Sequence, residues 1–231
     1  MIQISNLTKI YDGVTVLNID LLTILQGESF GLVGNNGAGK TTLFRLILDL
    51  IEPNTGSVLI DETPVARRDE WKSTVGSFLD EGFLIDFLTP DEYFKFVGKL
   101  YYKSEGDISL FLDNMKDFFN DEILGDKKLI RDLSKGNQKK VGIAAALISN
   151  PKTLILDEPF TALDPSSQIR LKRLLNELQE KENMTMLISS HDLNHVTEVC
   201  KRTVVLEKGK IVRDIATSAD TLKELESYFA V

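Results

Sequence analysis

A glycine-rich stretch that ends in lysine and threonine is the part of this sequence best suited to chemistry. It fits the pattern G-x-x-x-x-G-K-[ST] and consists of Gly34, Asn35, Asn36, Gly37, Ala38, Gly39, Lys40, Thr41 and Thr42. Glycines let successive backbone N–H groups turn inward around a phosphate. A lysine in this position reaches the outer phosphates, and the threonine hydroxyl reaches Mg²⁺. Residues 29–33 are predicted to form a buried strand, and residues 41–48 a helix whose N-terminus favours anions. The stretch therefore predicts a phosphate-binding loop.

Two carboxylates follow a second apolar segment. Residues 153–156 are predicted to form a buried strand that ends at Asp157 and Glu158. In parallel sheets, ligands bind at the carboxyl ends of the strands. We expect Asp157 to hold Mg²⁺ and Glu158 to accept a proton from, or orient, an attacking water. Combined with the loop, these residues indicate hydrolysis of a nucleotide.

Two further segments carry polar residues at predicted element boundaries. Residues 133–138 read LSKGNQ and precede a run, 139–147, that is predicted to be an amphipathic helix. Taken alone, Ser134 could be an ordinary helix N-cap. His191 follows the apolar strand predicted at 185–188, so it should lie at the same sheet edge as Glu158. His195 is expected to be an exposed or packing residue without a role.

The order and distances of these motifs resemble those of ATP-binding cassette (ABC) ATPases over nearly the whole chain. The resemblance implies that Tyr11 stacks on adenine, although a strand aromatic in the core is the alternative. It implies that His191 contacts the γ-phosphate and that Asp164 lies in a loop linking two sites across a dimer. It also implies a signature loop whose residues contact ATP held by the opposite subunit, namely Ser134, Lys135, Gly136 and Asn137.

The sequence departs from the family pattern in two places. Asp80 stands where the family usually has glutamine, and an ionised carboxylate can only accept hydrogen bonds. We expect Asp80 beside Mg²⁺, with Glu81 taking this role if the alignment shifts by one residue. An acidic residue here resembles members that export, or confer resistance to, peptide antibiotics. The second departure is Lys135 and Asn137 in place of glycine and glutamine, and lysine there resembles exporter-type members.

The predicted fold is α/β, with a P-loop NTPase-type parallel-sheet core. Alternating strands and helices after Pro151 predict parallel strands with crossover helices. An antiparallel region should come first, because Asp12-Gly13 is a hairpin signal. Helical spacing predicts an inserted α-helical lobe. We expect one nucleotide-binding domain over 1–231, with a core lobe at 1–89 and 150–231 and a helical lobe at about 90–149.

Composition narrows the class of protein. The 231 residues carry a net charge of −8, from 27 basic and 35 acidic side chains, which argues against binding to nucleic acid. The single cysteine, Cys200, has no partner for an internal disulfide and fits a reducing compartment. No signal segment or membrane-spanning run is expected. We therefore expect a protein without a lipid anchor, held at the cytoplasmic face of the plasma membrane by a partner.

The expected function is that of an ATP- and Mg²⁺-dependent ATPase subunit of an ABC transporter, with export favoured over import. It would work as a homodimer, or as a heterodimer with a related cassette, on a separate polytopic membrane subunit. One alternative is a soluble mechanical ATPase of the same superfamily that acts on DNA or ribosomes. A P-loop kinase or GTPase is a further alternative, but it leaves the signature loop and His191 unexplained.

Overall fold

Two β-sheets and the helices around them form the fold, in a computed structural model that describes residues 1–125 and 127–230. The strands are β1 (Ile2–Tyr11), β2 (Val14–Ile24), β3 (Ser29–Val33), β4 (Thr55–Ile60), β5 (Thr63–Pro64), β6 (Val75–Phe78), β7 (Thr153–Leu156), β8 (Thr185–Ser190), β9 (Arg202–Glu207) and β10 (Lys210–Ala216). The α-helices are α1 (Lys40–Ile47), α2 (Pro90–Leu100), α3 (Glu105–Asn114), α4 (Lys116–Phe119), α5 (Lys135–Leu147), α6 (Pro165–Glu182), α7 (Leu193–Val199) and α8 (Thr221–Phe229). Short 3-10 turns cover Glu70–Thr74, Glu81–Phe83 and Ile130–Asp132.

The N-terminal region is an antiparallel sheet, as predicted. Its strand order is β2-β1-β4-β5. The first hairpin turns at Asp12 and Gly13, whose φ angles of 49° and 79° suit the two-residue turn that matches strand twist. This turn brings Tyr11 opposite Val14. The hairpin therefore fixes the position of Tyr11 at one end of the sheet.

A six-stranded sheet forms the centre, in the order β10-β9-β3-β8-β7-β6. Strands β9, β3, β8, β7 and β6 run parallel, and β10 is antiparallel to β9. The predicted parallel core is thus confirmed. The carboxyl ends of β3, β7 and β8 lie side by side because these strands pair in register. The residues that follow these ends are Gly34, Asp157 and His191, so the topology gathers all three motifs at one edge.

Alternate strand residues enter two separate cores, one on each face of the central sheet. Leu154 and Leu156 of β7 belong to one core, together with most of the helices. Ile155 belongs to the other, which contains α1 and the antiparallel sheet. A parallel sheet needs both faces covered in this way.

The segment from 90 to 149 is helical, as predicted, but with two differences. Residues 120–125 and 127–129 lie between α4 and the next 3-10 turn and form no helix. Helix α5 is also not amphipathic. All of its residues from 138 to 147 are buried except Ala146, which is partly buried, and the buried residues include Lys139 and Lys140. The sequence pattern places these lysines on an exposed helix face because they are charged. In the structure they are buried because each pairs with a carboxylate, Lys139 with Glu81 and Lys140 with Glu122.

In the part of the chain that the structure describes, no helix is both long enough and apolar enough to cross a bilayer.

Candidate functional site

The loop between β3 and α1 has the backbone geometry that its glycines permit. Gly37 and Gly39 have φ angles of 80° and 110°, in the left-handed region that disfavours residues with a Cβ. Gly39 is the N-cap of α1, and its carbonyl accepts a 2.9 Å hydrogen bond from the Leu43 amide. The loop therefore leads directly into the N-terminus of α1, the end of a helix that attracts anions.

The side chain of Lys40 folds over this loop. It is 6% exposed, and its Nζ donates a 2.6 Å hydrogen bond to the Gly34 carbonyl and a 3.4 Å bond to that of Asn35. The same Nζ lies 3.4 Å from Oε1 of Glu158. Lys40 thus joins the loop to the carboxylate that follows β7.

Thr41 and Asp157 meet directly, as expected for two groups that share one metal ion. The Thr41 hydroxyl donates to Oδ2 of Asp157 at 2.5 Å. The buried Asp157 also accepts a hydrogen bond at Oδ1 from the Ser189 hydroxyl. Carboxylate and hydroxyl oxygens are ligands that Mg²⁺ prefers, and this ion usually takes few protein ligands beside phosphate and water. The pair therefore fits Mg²⁺, although residues 1–125 and 127–230 contain no larger cluster of acidic, histidine or cysteine side chains built for a metal.

Glu158 has an uncommon backbone conformation, and each oxygen of its carboxylate has a side-chain partner. Its φ of 49° is rare for a residue other than glycine. Its amide donates a 2.9 Å hydrogen bond to the Ser189 hydroxyl, and its Oε2 lies 2.8 Å from Nδ1 of His191. Non-glycine residues in this conformation concentrate at functional sites, where neighbouring contacts stabilise them.

Sequence reasoning missed Ser189. Its hydroxyl donates to the Asp157 carboxylate and accepts from the Glu158 amide, so it contacts the side chain of one motif residue and the backbone of the other. A hydroxyl residue two positions before His191, at the end of a strand adjacent to β7, was the available signal.

A cleft over the loop brings Tyr11 close to the other predicted binding residues. Its lining consists of Tyr11, Val16, residues 36–42 and Glu158. The Tyr11 ring is 45% exposed, and the Lys9 ammonium lies 4.9 Å from the ring centroid. An exposed aromatic face at the mouth of the cleft is suited to stacking, and the alternative of a core aromatic is wrong.

The signature loop, residues 133–138, lies outside this cleft. Ser134 is the N-cap of α5, and its hydroxyl accepts a 3.2 Å hydrogen bond from the Asn137 amide. Ser134 and Lys135 are exposed. A Cβ on Gly136 would lie 2.7 Å from the Ala162 carbonyl, so only glycine fits at this close approach. The start of α5 is thus exposed and does not line the cleft over the chain's own phosphate loop.

Asp164 begins α6 and is held by serines. Its carboxylate accepts hydrogen bonds from the Ser167 hydroxyl at 2.5 Å, the Ser166 hydroxyl at 2.7 Å and the Ser167 amide at 3.0 Å. These bonds, first that from the Ser167 hydroxyl, hold the pKa of Asp164 well below its usual range. The ionised side chain therefore caps the N-terminus of α6.

Asp80 and Glu81 point to different partners. The Asp80 carboxylate accepts a 2.7 Å hydrogen bond from the Gly82 amide and caps the 3-10 turn that follows β6. Oε1 of Glu81 lies 3.6 Å from the Nζ of Lys139 on α5. The Lys139 ammonium also donates to the Glu158 carbonyl at 2.9 Å. Sequence reasoning missed Lys139, because a lysine in a predicted amphipathic helix looks like a surface residue.

Comparison with known families agrees with this geometry. The family model described as "ABC transporter" matches residues 17–161. The chain belongs to the ABC transporter family. It carries the ATP-binding ATPase domain of that family, so the resemblance seen in its motifs is confirmed.

Three relatives illustrate the range of similarity within the ABC family. The lantibiotic transport ATP-binding protein SrtF of Streptococcus pyogenes is 33% identical over 99% of this chain and 96% of its own length. An uncharacterised ABC transporter ATP-binding protein of Nostoc is 33% identical over 92% of this chain, and the match spans only 65% of that relative. The sulfate/thiosulfate import ATP-binding protein CysA of Pectobacterium atrosepticum is 32% identical over 99% of this chain and 70% of its own length.

Solved ABC cassettes share the whole fold. The dimeric structure of a bacterial ABC transporter cassette superposes with a TM-score of 0.85 at 27% identity, covering 95% of this chain and all of the other. A dimeric post-hydrolysis cassette bound to ADP and Pi gives a TM-score of 0.82 at 25% identity, over the same shares of both chains. SrtF and CysA are transport ATP-binding proteins by name, which supports a transporter ATPase over an ATPase that acts on DNA or ribosomes.

His195 packs within the ABC domain and does not join the site. Its ring stacks on Phe160 with centroids 4.5 Å apart, and burial lowers its pKa. Of the two expectations for this residue, exposed or packing, the structure shows packing.

Proposed function

We propose that this chain binds and hydrolyses ATP as the nucleotide-binding subunit of a membrane transporter, working on a separate polytopic membrane protein. The observation that carries this proposal is the position of Glu158, with one carboxylate oxygen beside Lys40 of the phosphate loop and the other beside His191. A base next to phosphate-binding groups is the arrangement that hydrolysis requires.

Nucleotide binding is assigned to the loop cleft. The backbone amides of residues 34–42 and the N-terminus of α1 would surround the phosphates, and Lys40 would neutralise part of their charge. Thr41 and Asp157 would hold Mg²⁺, and Asp80 remains a candidate for a water-mediated contact with it. When bound, Mg²⁺ supplies positive charge beside the phosphate oxygens. Tyr11 would stack on the adenine.

Hydrolysis is assigned to Glu158 and His191. Glu158 would orient the attacking water and accept its proton, a contribution typically worth roughly 10²–10⁴-fold in rate. His191 lies at hydrogen-bond distance from Glu158 and would contact the γ-phosphate with its exposed ring. The close fit of Glu158 between Lys40 and His191 supports this division of roles.

A second cassette is needed to complete each site. Ser134, Lys135, Gly136 and Asn137 lie outside the cleft of their own chain and would contact the γ-phosphate held by a partner cassette. The helix dipole of α5 would point at that phosphate. Asp164 would connect the two sites across a symmetric interface. The dimeric form of the similar cassettes supports this arrangement, whether the partner is identical or related.

The membrane subunit would dock on an apolar groove between the lobes. We assign residues 1–89 and 150–231 to a core lobe and about 90–149 to a helical lobe. The groove is lined by residues of β6, α2 and α5 and by the exposed Phe83. The acidic turn of Asp80, Glu81 and Gly82 lies next to Phe83, so docking there could affect the ATP site. This contact would hold the chain at the cytoplasmic face of the plasma membrane without a lipid anchor.

Export is the favoured direction of transport. Lys135 in the signature loop and the acidic turn at Asp80 support it, as does the match to SrtF along nearly the whole of both chains. Relatives also include an import protein, so direction depends on the membrane subunit that this chain joins.

Isolation of the tagged chain from its native membranes in mild detergent tests the transporter assignment. A polytopic membrane protein should co-purify in stoichiometric amount and stimulate ATP turnover. Recovery of ribosomes or DNA in place of a membrane protein would overturn the proposal. The Glu158→Gln chain serves as the control, because it should assemble equally well but hydrolyse ATP far more slowly.

A further inference from the structure

Lys139 is a buried cation at the meeting point of three segments of the site. Its side chain is 8% exposed. The ammonium lies 2.9 Å from the Glu158 carbonyl, 3.3 Å from the Thr161 hydroxyl and 3.6 Å from Oε1 of Glu81. A buried ammonium is stable only if such partners compensate for its lost hydration. The residue therefore connects α5, the acidic turn and the loop after β7.

The contact with Glu158 is to its backbone, at a residue in the left-handed conformation. The Glu158 carbonyl accepts from the Lys139 ammonium, from the Thr161 hydroxyl at 2.5 Å and from the Thr161 amide at 3.3 Å. A left-handed conformation costs energy for a residue with a side chain and persists only where surrounding contacts enforce it. The direction of the Glu158 carboxylate depends on that conformation.

The Glu81 carboxylate stabilises the protonated form of Lys139. Burial lowers the pKa of the lysine, and the nearby Glu81 carboxylate is the strongest of the groups that raise it. Glu81 is itself only 22% exposed. A shift of the acidic turn relative to α5 would therefore act on Lys139 and, through it, on Glu158.

We propose that Lys139 is a positioning residue that holds the Glu158 backbone in its hydrolytic conformation and links it to Glu81. The proposal rests on the role of Glu158 as the base. It gives the acidic turn, which borders the apolar groove, a direct physical connection to the chemical step. This connection uses the side chain of Glu81, whereas Asp80 maintains the turn itself.

Lys139→Met tests the proposal, because methionine retains most of the length and apolar contacts but loses the charge and the donor. Mg-ATP affinity should stay within about twofold of wild type, because the phosphate loop is untouched. The value of kcat should fall roughly tenfold, the loss expected for one hydrogen bond worth about 1.4 kcal/mol. In the nucleotide-free chain, hydrogen exchange at the Thr161 amide should accelerate, since this amide shares the Glu158 carbonyl with Lys139.

Lys140→Met is the matched control. Lys140 is the neighbouring residue of α5, is 1% exposed and pairs with Glu122 at 2.8 Å, away from Glu158. The Lys140→Met substitution should lower thermal stability without a comparable loss of kcat and without a change in hydrogen exchange at the Thr161 amide. Lys139→Arg, which keeps the charge and donors, should recover at least part of the lost kcat.

The outcomes separate this proposal from the proposed function. If Lys139→Met leaves kcat and Thr161 exchange unchanged while Glu158→Gln abolishes turnover, the positioning role is wrong and the base assignment stands. Equal losses of kcat and stability in Lys139→Met and Lys140→Met would also overturn it, as a merely structural effect. If Glu158→Gln retains wild-type turnover, the base assignment itself is wrong. In the Glu158→Gln background, Lys139→Met should cause no further loss.

Discussion

The Nδ1 atom of His191 lies 2.8 Å from Oε2 of Glu158, although 33 positions separate the two residues in the chain. The other oxygen of the same carboxylate lies 3.4 Å from the Lys40 ammonium. These contacts exist because β3, β7 and β8 are parallel and in register, so the residues after their carboxyl ends share one edge. Glu158 and His191 therefore mark the place where the attacking water and the terminal phosphate of ATP would meet.

Glu158→Gln should abolish hydrolysis while keeping nucleotide binding. The amide retains the shape of the side chain but loses the base, so kcat should fall roughly 10²–10⁴-fold. Because ATP persists at the site, a dimer should accumulate with Mg-ATP and be visible by light scattering on a sizing column. Hydrolysis at the wild-type rate would show that Glu158 is not the base.

Lys40→Ala should weaken ATP binding strongly, since residues 34–42 contain no other cationic side chain. Titration of the purified chain with a fluorescent ATP analogue and Mg²⁺ measures the effect. The control is Lys72→Ala, which removes an exposed lysine paired with Asp69 far along the chain from the loop. Near wild-type affinity in Lys40→Ala would contradict the assignment of the loop.

Ser134→Arg should separate binding from turnover. The substitution adds bulk and charge at the exposed N-terminus of α5, which lies outside the chain's own cleft. The variant should bind ATP as a monomer, fail to dimerise and lose turnover. Mixing it with Lys40→Ala subunits could restore at most one complete site per dimer. Full activity of the Ser134→Arg chain alone would show that hydrolysis does not use the signature loop.

Substitutions in the acidic turn should differ in effect. Glu81→Ala removes the carboxylate that lies 3.6 Å from Lys139, so ATP turnover should fall more than ATP affinity. Asp80→Ala removes the cap on the Gly82 amide and any water-mediated contact of Asp80 with Mg²⁺, but it leaves the pair of Glu81 and Lys139 in place, so its effect on turnover should be smaller. Steady-state kinetics of both variants compare the two positions. A large loss of ATP turnover in Asp80→Ala, together with wild-type kinetics in Glu81→Ala, would show that Asp80 and not Glu81 has the coupling role.

Cys200 should be unreactive in the native protein. The thiol is buried, and burial raises its pKa far above the physiological range. Because the thiolate is the reactive form, a thiol reagent such as DTNB at pH 8 should label the chain only after unfolding in guanidinium chloride. Rapid stoichiometric labelling of the native chain would contradict the burial of this residue.

The sequence alone determined the fold class, the phosphate loop and the two carboxylates, Asp157 and Glu158, that follow β7. These features could be predicted because each depends on a local pattern. Glycine permits the φ angles at Gly37 and Gly39. A mostly apolar run of four residues forms β7, and the Asp12-Gly13 pair forms the turn of the first hairpin.

Only the tertiary structure decided how the distant residues share the site. Ser189 contacts Asp157 and Glu158 because β7 and β8 are neighbours in the sheet, a relationship that no local pattern contains. Lys139 was predicted to be a surface residue because helical periodicity depends only on the polarity of nearby residues. It contains no information about Glu81, the carboxylate 58 positions earlier in the chain that pairs with this lysine. Asp80 and Glu81 are adjacent carboxylates of the same chemistry, and only the path of the backbone after β6 turns Glu81 toward Lys139 and Asp80 toward the Gly82 amide.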